Sequence, residues 1–350
     1  MIKEQKVSII IPTWNRKEDL KKCLMSIKNL NYTNLEIIIT NNGSNDGTIE
    51  MLKSTNLEMK IVQNRKNLGA SYAKNQGATK SRGEFLWFLD SDSEIINANC
   101  LNEMIKILNG HPSVAMVGGE VVEEQGEKKY KLSKAARYGI GTIELKNEKD
   151  YMFLESNFIT TANCLVRRNI FFEVGGFNPE YFYGGEDTDL SRKITQRGYK
   201  GIVDRKIAVL HRLSIKQRRS NFFLQEKNRV RRHFFHEPIW LFPVLPFLDI
   251  LSLIKTTPHF LNQIKKRDIK ESALFKKSFS KNKTKSSSKQ VNLIQLFILY
   301  FFSFIYGYFF NIIMLPRSLY IRFVYKNRFL NINKDSLETM EIKSVEIINL

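Results

Sequence analysis

At 350 residues the chain can bury a full core, as one large domain or two modest ones. Its three cysteines (Cys23, Cys100, Cys164) are too widely spaced for a disulfide framework or a cysteine metal site, which points to a reducing compartment. The formal charge of +20 is lopsided. Residues 1–204 hold 28 Lys/Arg against 26 Asp/Glu, and residues 205–350 hold 27 against 9, so an anionic partner, nucleic acid or membrane, is expected through the second half.

The polar start is followed by an apolar run of only five residues, 7–11, too short for a signal sequence, so the beginning of the chain is expected to stay cytosolic. That run, Val7-Ser8-Ile9-Ile10-Ile11, reads as a first strand ended by Pro12-Thr13-Trp14-Asn15. Leu20, Leu24 and Ile27 then recur at helical spacing. Residues 35–39 form a second strand, closed by the polar turn segment Thr40-Asn41-Asn42-Gly43-Ser44-Asn45-Asp46-Gly47. Residues 59–62 read as a third strand and 69–81 as a helix. This strand–helix alternation predicts a parallel, right-handed α/β sheet with a nucleotide-sized site at the carboxyl ends of its strands.

The fourth strand carries the main signal. Phe85-Leu86-Trp87-Phe88-Leu89 is bulky and apolar, with Trp87 and Phe88 read as core, and it stops at Asp90-Ser91-Asp92. Alternation places Asp90 and Asp92 on one side just past the strand end. There they serve either as helix-capping turn residues or as ligands for a hard divalent cation. Beyond them, 101–108 is helical, 114–119 is a strand, and 123–150 is charged and loop-like. A strand is expected within 158–166, and a turn at Gly175-Gly176-Phe177. A helix runs from Glu186-Asp187-Thr188-Asp189-Leu190 to about Arg197, and a short strand, 207–210, delivers His211.

Taken in order, these motifs resemble family-2 glycosyltransferases of the GT-A fold, which use nucleotide-sugar donors. The carriers are Val7-Ser8-Ile9-Ile10-Ile11-Pro12-Thr13-Trp14-Asn15, Asn42-Gly43-Ser44-Asn45-Asp46-Gly47, Asn67-Leu68-Gly69 with Lys74-Asn75-Gln76-Gly77, Phe88-Leu89-Asp90-Ser91-Asp92, Gly175-Gly176-Phe177, Glu186-Asp187-Thr188-Asp189-Leu190 and His211. The resemblance implies a mostly parallel α/β sheet and a GT-A catalytic domain over 1–215. It implies Mn²⁺ or Mg²⁺ held by Asp92, His211 and Asp90, with Asp90 also near the ribose. Asp187 is the expected general base, with Glu186 second and Asp189 pairing instead with Arg192. A lone base without a second nucleophilic carboxylate implies inversion at the anomeric carbon.

Donor contacts are expected from Pro12, Thr13, Trp14, Asn15, Asn41, Gly43, Asn67, Gly69, Lys74 and Asp90. Trp14 is a stacking face for the base or an ordinary half-buried aromatic; Lys74 reaches the diphosphate or is a solvated helix lysine. Where many members carry Asp-Asn-Gly-Ser, this chain has Asn41-Asn42-Gly43-Ser44, which leaves an amide oxygen to accept from the base and leaves the base open. Gly175, Gly176 and Phe177 are expected against donor sugar and acceptor.

The second half reads as a basic, apolar, membrane-associated helical region. Residues 216–262 supply aromatic and basic residues at helical spacing, then an apolar run broken by Pro243, Pro246 and Asp249 that suits an interface. A basic low-complexity linker (263–290), a candidate transmembrane helix (291–316) and a tail (317–350) follow. Placing the linker inside allows one span or none. The 222–233 stretch resembles the segment after the catalytic domain of rhamnosyltransferase-like members acting on lipid-linked glycans, which makes Arg229, Arg231 and Arg232 candidate acceptor contacts. The expected partners are a nucleotide-sugar donor, a lipid-linked or cell-surface glycan acceptor and an anionic membrane surface, with no nucleic acid. The rivals are a processive polysaccharide synthase, whose Gln-x-x-Arg-Trp motif is missing, and an inactive binding module on the same scaffold.

Overall fold

The computed structural model describes residues 4–123, 131–136, 139–144, 153–211, 222–251, 293–324, 338–340 and 345–349. Strands and helices alternate at the N-terminal end as expected: β1 (Val7–Thr13), α1 (Lys17–Lys28), β2 (Leu35–Asn41), α2 (Thr48–Lys53), β3 (Met59–Gln63), α3 (Ala70–Thr79) and β4 (Phe85–Leu89). β2 and β4 flank β1, and β3 flanks β2, all in parallel register. β5 (Ser93–Ile95), α4 (Cys100–Gly110) and β6 (Val114–Glu123) follow. After them come β7 (Lys131–Ala136), β8 (Gly139–Glu144), β9 (Phe153–Ser156), β10 (Asn163–Arg167), α5 (Arg168–Glu173), α6 (Glu186–Thr195) and β11 (Lys200–His211).

The eleven-stranded sheet is ordered β12-β13-β3-β2-β1-β4-β10-β6-β11-β5, where β12 is Glu338–Met340 and β13 is Val345–Asn349, and β9 pairs with β11. β10 runs antiparallel between β4 and β6, so the parallel half and the second half meet beside Asp90.

Both faces of the central strands are buried, which is why β1 and β4 read as continuous apolar runs rather than alternating ones. Ile9, Ile11, Trp87 and Leu89 enter one core with α1 and α4. Ile10, Leu86 and Phe88 enter the other, with Phe171, Phe177 and Leu190. Trp87 is fully buried and satisfies its indole N–H on Asn163 Oδ1 at 3.0 Å, so the core reading of Trp87 and Phe88 stands.

Several expectations change. Residues 131–136 and 139–144 pair antiparallel as β7 and β8 inside the stretch read as loop. Local pairing needs no apolar run to announce it. The last strand begins at Lys200 rather than Ile207, its polar middle passing through a register shift between Asp204 and Val209. Gly119 makes room for that irregularity: a Cβ there would lie 1.1 Å from the Ile207 carbonyl oxygen. The bulge advances β11 so that His211 pairs with Ser93, next to the Asp90–Asp92 turn. Residues 317–350, expected as a tail, supply part of a helix and the strands β12 and β13 at one side of the sheet.

A separate helical layer follows the sheet domain: α7 (Phe222–His236), the 3₁₀ turn Ile239–Val244, a helical stretch over 245–251, α8 (Leu293–Ile313) and α9 (Leu315–Val324). Val230, Phe234, Leu241, Leu245 and Tyr308 form its core. Asp249, fully buried, pairs with Arg229 at 2.6 Å and His233 at 3.2 Å, and accepts from Tyr308 Oη at 2.5 Å. The linker expected over 263–290 lies outside the described residues. Among the described residues no helix is long and apolar enough to cross a membrane.

Because backbone meets backbone at Gly119, relief by side-chain rotation is impossible there. Gly119→Ala is expected to lower stability by about 3 kcal/mol, the upper end for overpacking, as read by urea denaturation.

Candidate active site at the carboxyl ends of the strands

The β1 and β2 ends are fastened to each other. Asn15 takes a left-handed conformation (φ 51°), its N–H donates to Ser44 Oγ at 2.9 Å, and its Oδ1 accepts from the Asn45 N–H at 2.9 Å. Gly43 also needs positive φ (77°), and a Cβ there would meet the Lys66 backbone at 2.7 Å. Thr13 is buried and Trp14 is 43% exposed, so Trp14 offers a free face at the rim.

Behind the turn sits a buried amide network. Asn42 accepts from the Leu68 N–H and from Asn64 Nδ2, and donates to Asn67 Oδ1 and the Gly69 carbonyl. Asn41 donates to Gln63 Oε1 at 2.8 Å, while its Oδ1 accepts the Ser44 N–H at 3.2 Å. Asn41 is wholly buried, so its amide serves the turn.

Asp90, Asp92 and His211 converge. One ligand atom of each lies within 4.8 Å of the others. His211 Nε2 is 3.0 Å from Asp92 Oδ1 and 3.7 Å from Asp90 Oδ2, yet it is buried and makes no hydrogen bond of regular geometry. Two hard carboxylate oxygens and an imidazole nitrogen facing one point form a donor set that suits a divalent cation. Burial works against a charged ring at His211, but the Asp90 and Asp92 carboxylates outweigh it and lift its pKa to about 9. Arg16 occupies the other oxygen of Asp92 at 3.1 Å and also binds Asp19 at 3.0 Å.

The acidic helix α6 arrives on the opposite side of Lys74. The Nζ of Lys74 lies 3.4 Å from Asp90 Oδ1, 3.7 Å from Glu186 Oε1 and 4.0 Å from Asp187 Oδ1, and donates to Thr161 Oγ1 at 2.5 Å. Its side chain is only 2% exposed, so it is not a solvated helix lysine. Burial disfavours its charge, but Asp90, Asp187 and Glu186 together hold its pKa well above the ordinary lysine range. For Asp90, burial pulls upward and Lys74 and His211 prevail, keeping the carboxyl well below the usual range. Glu186 is pushed to about 7 by burial and by its neighbour Asp187, against the pull of Lys74, and its Oε2 has no hydrogen-bond partner. Asp187 is held by both threonines, accepting from Thr160 Oγ1 at 3.1 Å and from Thr161 Oγ1.

Other expected residues have structural duties here. Asp189 pairs with Lys193 at 3.1 Å and His236 at 2.7 Å, not with Arg192, which binds Glu237 instead. Gly175 and Gly176 take positive φ after α5, and their N–H groups donate to the Phe172 and Phe171 carbonyls, closing that helix. Phe177 is fully buried against Phe88 and Phe171, so its ring is core; its backbone is held by both ends of the Asn75 amide. Arg229 is engaged by Asp249 inside the helical layer, and Arg231, only 3% exposed, reaches Glu180 at 3.0 Å in the loop before α6. Arg16, Thr160 and Thr161 carry no local signal for the site, because their partners there lie far away in sequence, whereas Asn75 stands in the Lys74-Asn75-Gln76-Gly77 motif without a role assigned to it.

Residues 8–175 match the family model for glycosyl transferase family 2. The chain is 31% identical over 202 residues to Glycosyltransferase AglE of Haloferax volcanii, covering 55% of this chain and 62% of that protein. It is 30% identical over 187 residues to the GalNAc(5)-diNAcBac-PP-undecaprenol beta-1,3-glucosyltransferase of Campylobacter jejuni, covering 52% and 58%. The chain thus spans about three fifths of the length of each of these relatives. Among solved structures, the mannosyltransferase PcManGT from Pyrobaculum calidifontis in complex with GDP-Man and Mn²⁺ superposes with a TM-score of 0.52 at 15% identity, covering 93% of this chain and 89% of that one. That likeness establishes a GT-A fold.

Removing one oxygen ligand tests the cluster directly. Asp92→Asn is expected to weaken Mn²⁺ binding by at least about 100-fold in isothermal titration, the upper end of what loss of a supporting partner alone costs.

Proposed function

We propose, from the premise that residues 8–175 form a family-2 glycosyltransferase domain on a GT-A fold, that the chain is an inverting, metal-dependent glycosyltransferase. It moves a sugar from a nucleotide-diphosphate donor to a lipid-linked or cell-surface glycan, working at the cytosolic face of a membrane. The carrying observation is that Lys74 brings the Asp90–Asp92–His211 cluster and the Glu186–Asp187 pair into one site.

Asp90, Asp92 and His211 would hold Mn²⁺ or Mg²⁺, whose charge neutralises the growing negative charge on the leaving diphosphate. The exposed face of Trp14 receives the nucleotide base beside the Asn15–Ser44 turn. Asp187 takes the proton of the attacking acceptor hydroxyl, as a carboxylate 23% exposed at the site and steadied by Thr160 and Thr161. Lys74 restrains that carboxylate and bridges it to Asp90. With a single base and no carboxylate committed as nucleophile, displacement is direct and the anomeric configuration inverts. The lipid-linked acceptor is supported by the acceptor printed in the name of the Campylobacter jejuni relative.

Glu186 is the second reading for the base, favoured by its unpartnered Oε2 and a pKa near neutrality. A screen of nucleotide sugars with Mn²⁺, followed by NMR of the product's anomeric proton, tests the whole proposal; retained configuration overturns it. Asp187→Asn is expected to lower kcat by about 10²–10⁴-fold, whereas Glu186→Gln keeps most of the rate. If Glu186 is instead the base, it is competent only when deprotonated. Activity then rises with pH through about 7, and Glu186→Gln abolishes both the rate and that rise.

A further inference from the structure

The helical layer buries polar groups beside its apolar core and leaves a second apolar side uncovered. α8 carries no Asp, Glu, Lys or Arg, and the side it turns toward α7 mixes polar groups with Phe304 and Tyr308. Ser303 and Asn311 are fully buried there. Asn311 donates to the Lys227 and Gly307 carbonyls at 2.8 and 2.7 Å, and Tyr308 donates to the buried Asp249. The outward side is apolar: Phe301, Phe302, Ile305, Phe309 and Ile312 are 46–64% exposed and fall at helical spacing on one stripe. Trp240 (74%) and Phe247 (68%) add exposed rings on the segment that packs beside α7. A helix pair organised for water shows the opposite arrangement.

We infer that this stripe, with Trp240 and Phe247, is an interfacial docking face for an anionic lipid bilayer. The charge of the same region decides the occupant. Residues 252–292, which join the two apolar segments in sequence, carry 11 Lys/Arg against 2 Asp/Glu. A second copy would bring the same positive charge against itself, whereas an anionic bilayer complements both the charge and the rings. Because no described helix is long and apolar enough to cross, the face lies in the interface rather than spanning. The layer is joined to the catalytic helix through Asp189–His236 and Arg192–Glu237, and to the loop before it through Asn228, which donates to the Tyr183 and Gly184 carbonyls. Docking therefore sets the orientation of the Glu186–Asp187 edge relative to the lipid surface.

This inference specifies the membrane residence proposed above. Its test reads binding alone, so a failure of sugar transfer and a failure of docking are separable. The full chain is sedimented with phosphatidylcholine vesicles, and with vesicles in which about 30% of the lipid is phosphatidylglycerol, at low and high salt. The wild type is expected to sediment with the anionic vesicles, less so at high salt. Phe302→Glu/Phe309→Glu and Trp240→Glu are expected each to reduce partitioning by at least about tenfold, the worth of burying one aromatic ring. Met25→Glu, an exposed apolar residue on α1, leaves it unchanged. Circular dichroism melting confirms that the variants fold, as expected for substitutions at exposed positions. Partitioning unaffected by the stripe variants overturns the inference, as does a wild-type dimer in solution that those variants convert to monomer without any vesicle binding.

Discussion

A buried ammonium group surrounded by carboxylates organises this molecule's site. Lys74 sits on α3 and would be expelled from an interior at this depth without compensation, since an isolated buried charge is costly. Asp90, Glu186 and Asp187 compensate it, and each would in turn be disfavoured there without the lysine. The pairing is mutual, so four residues from three separate stretches of chain are held in one arrangement. The surroundings also separate the acids. Lys74 and His211 overcome burial at Asp90 and keep it ionised, while burial and the neighbouring Asp187 raise Glu186 against the pull of Lys74. Two classes of carboxylate thus share one cation.

The remaining framework supplies positions rather than charge. β10 lies between β4 and β6, and Asn163 on it ties the Trp87 indole to the Ile207 carbonyl. The absence of a side chain at Gly119 lets the Ile207 backbone of β11 approach, and the strand carries His211 to the Asp90–Asp92 turn. On the donor side, the amides of Asn42, Asn64, Asn67 and Gln76 bond one another instead of solvent, which shapes the loops before any ligand arrives. Such preorganisation avoids paying loop-ordering entropy at binding.

The helical layer obeys a different solvent logic. It buries polar side chains around Asp249, Arg229 and Arg231 beside its apolar core, while its outer surface is left to aromatic and aliphatic side chains. The arginines that looked like phosphate ligands in sequence are therefore the interior fastenings of this layer. Basic residues at helical spacing signal an anion only while their partners are unknown; Glu180 and Asp249 are those partners.

The order of strands and helices through Asp90, the burial of Trp87 and Phe88, and the metal-type acids at the strand end were all legible in the residues, because each rests on a local pattern: short continuous apolar runs, helical spacing, or turn chemistry. The family resemblance added His211 and the acidic helix as parts of the same site, which no spacing rule connects. Tertiary structure alone decided what those residues face. It buried Lys74, gave Asp189 to His236 and Lys193, put Phe177 in the core, brought Arg16 to Asp92, and enlisted Thr160 and Thr161. It also revealed the β7–β8 pair and the strands near the C-terminus, whose pairing carries little apolar signature. The reason is common to all of these: a residue's role is set by partners up to a hundred or more positions away, and pairing across such distances leaves no periodic trace in the chain.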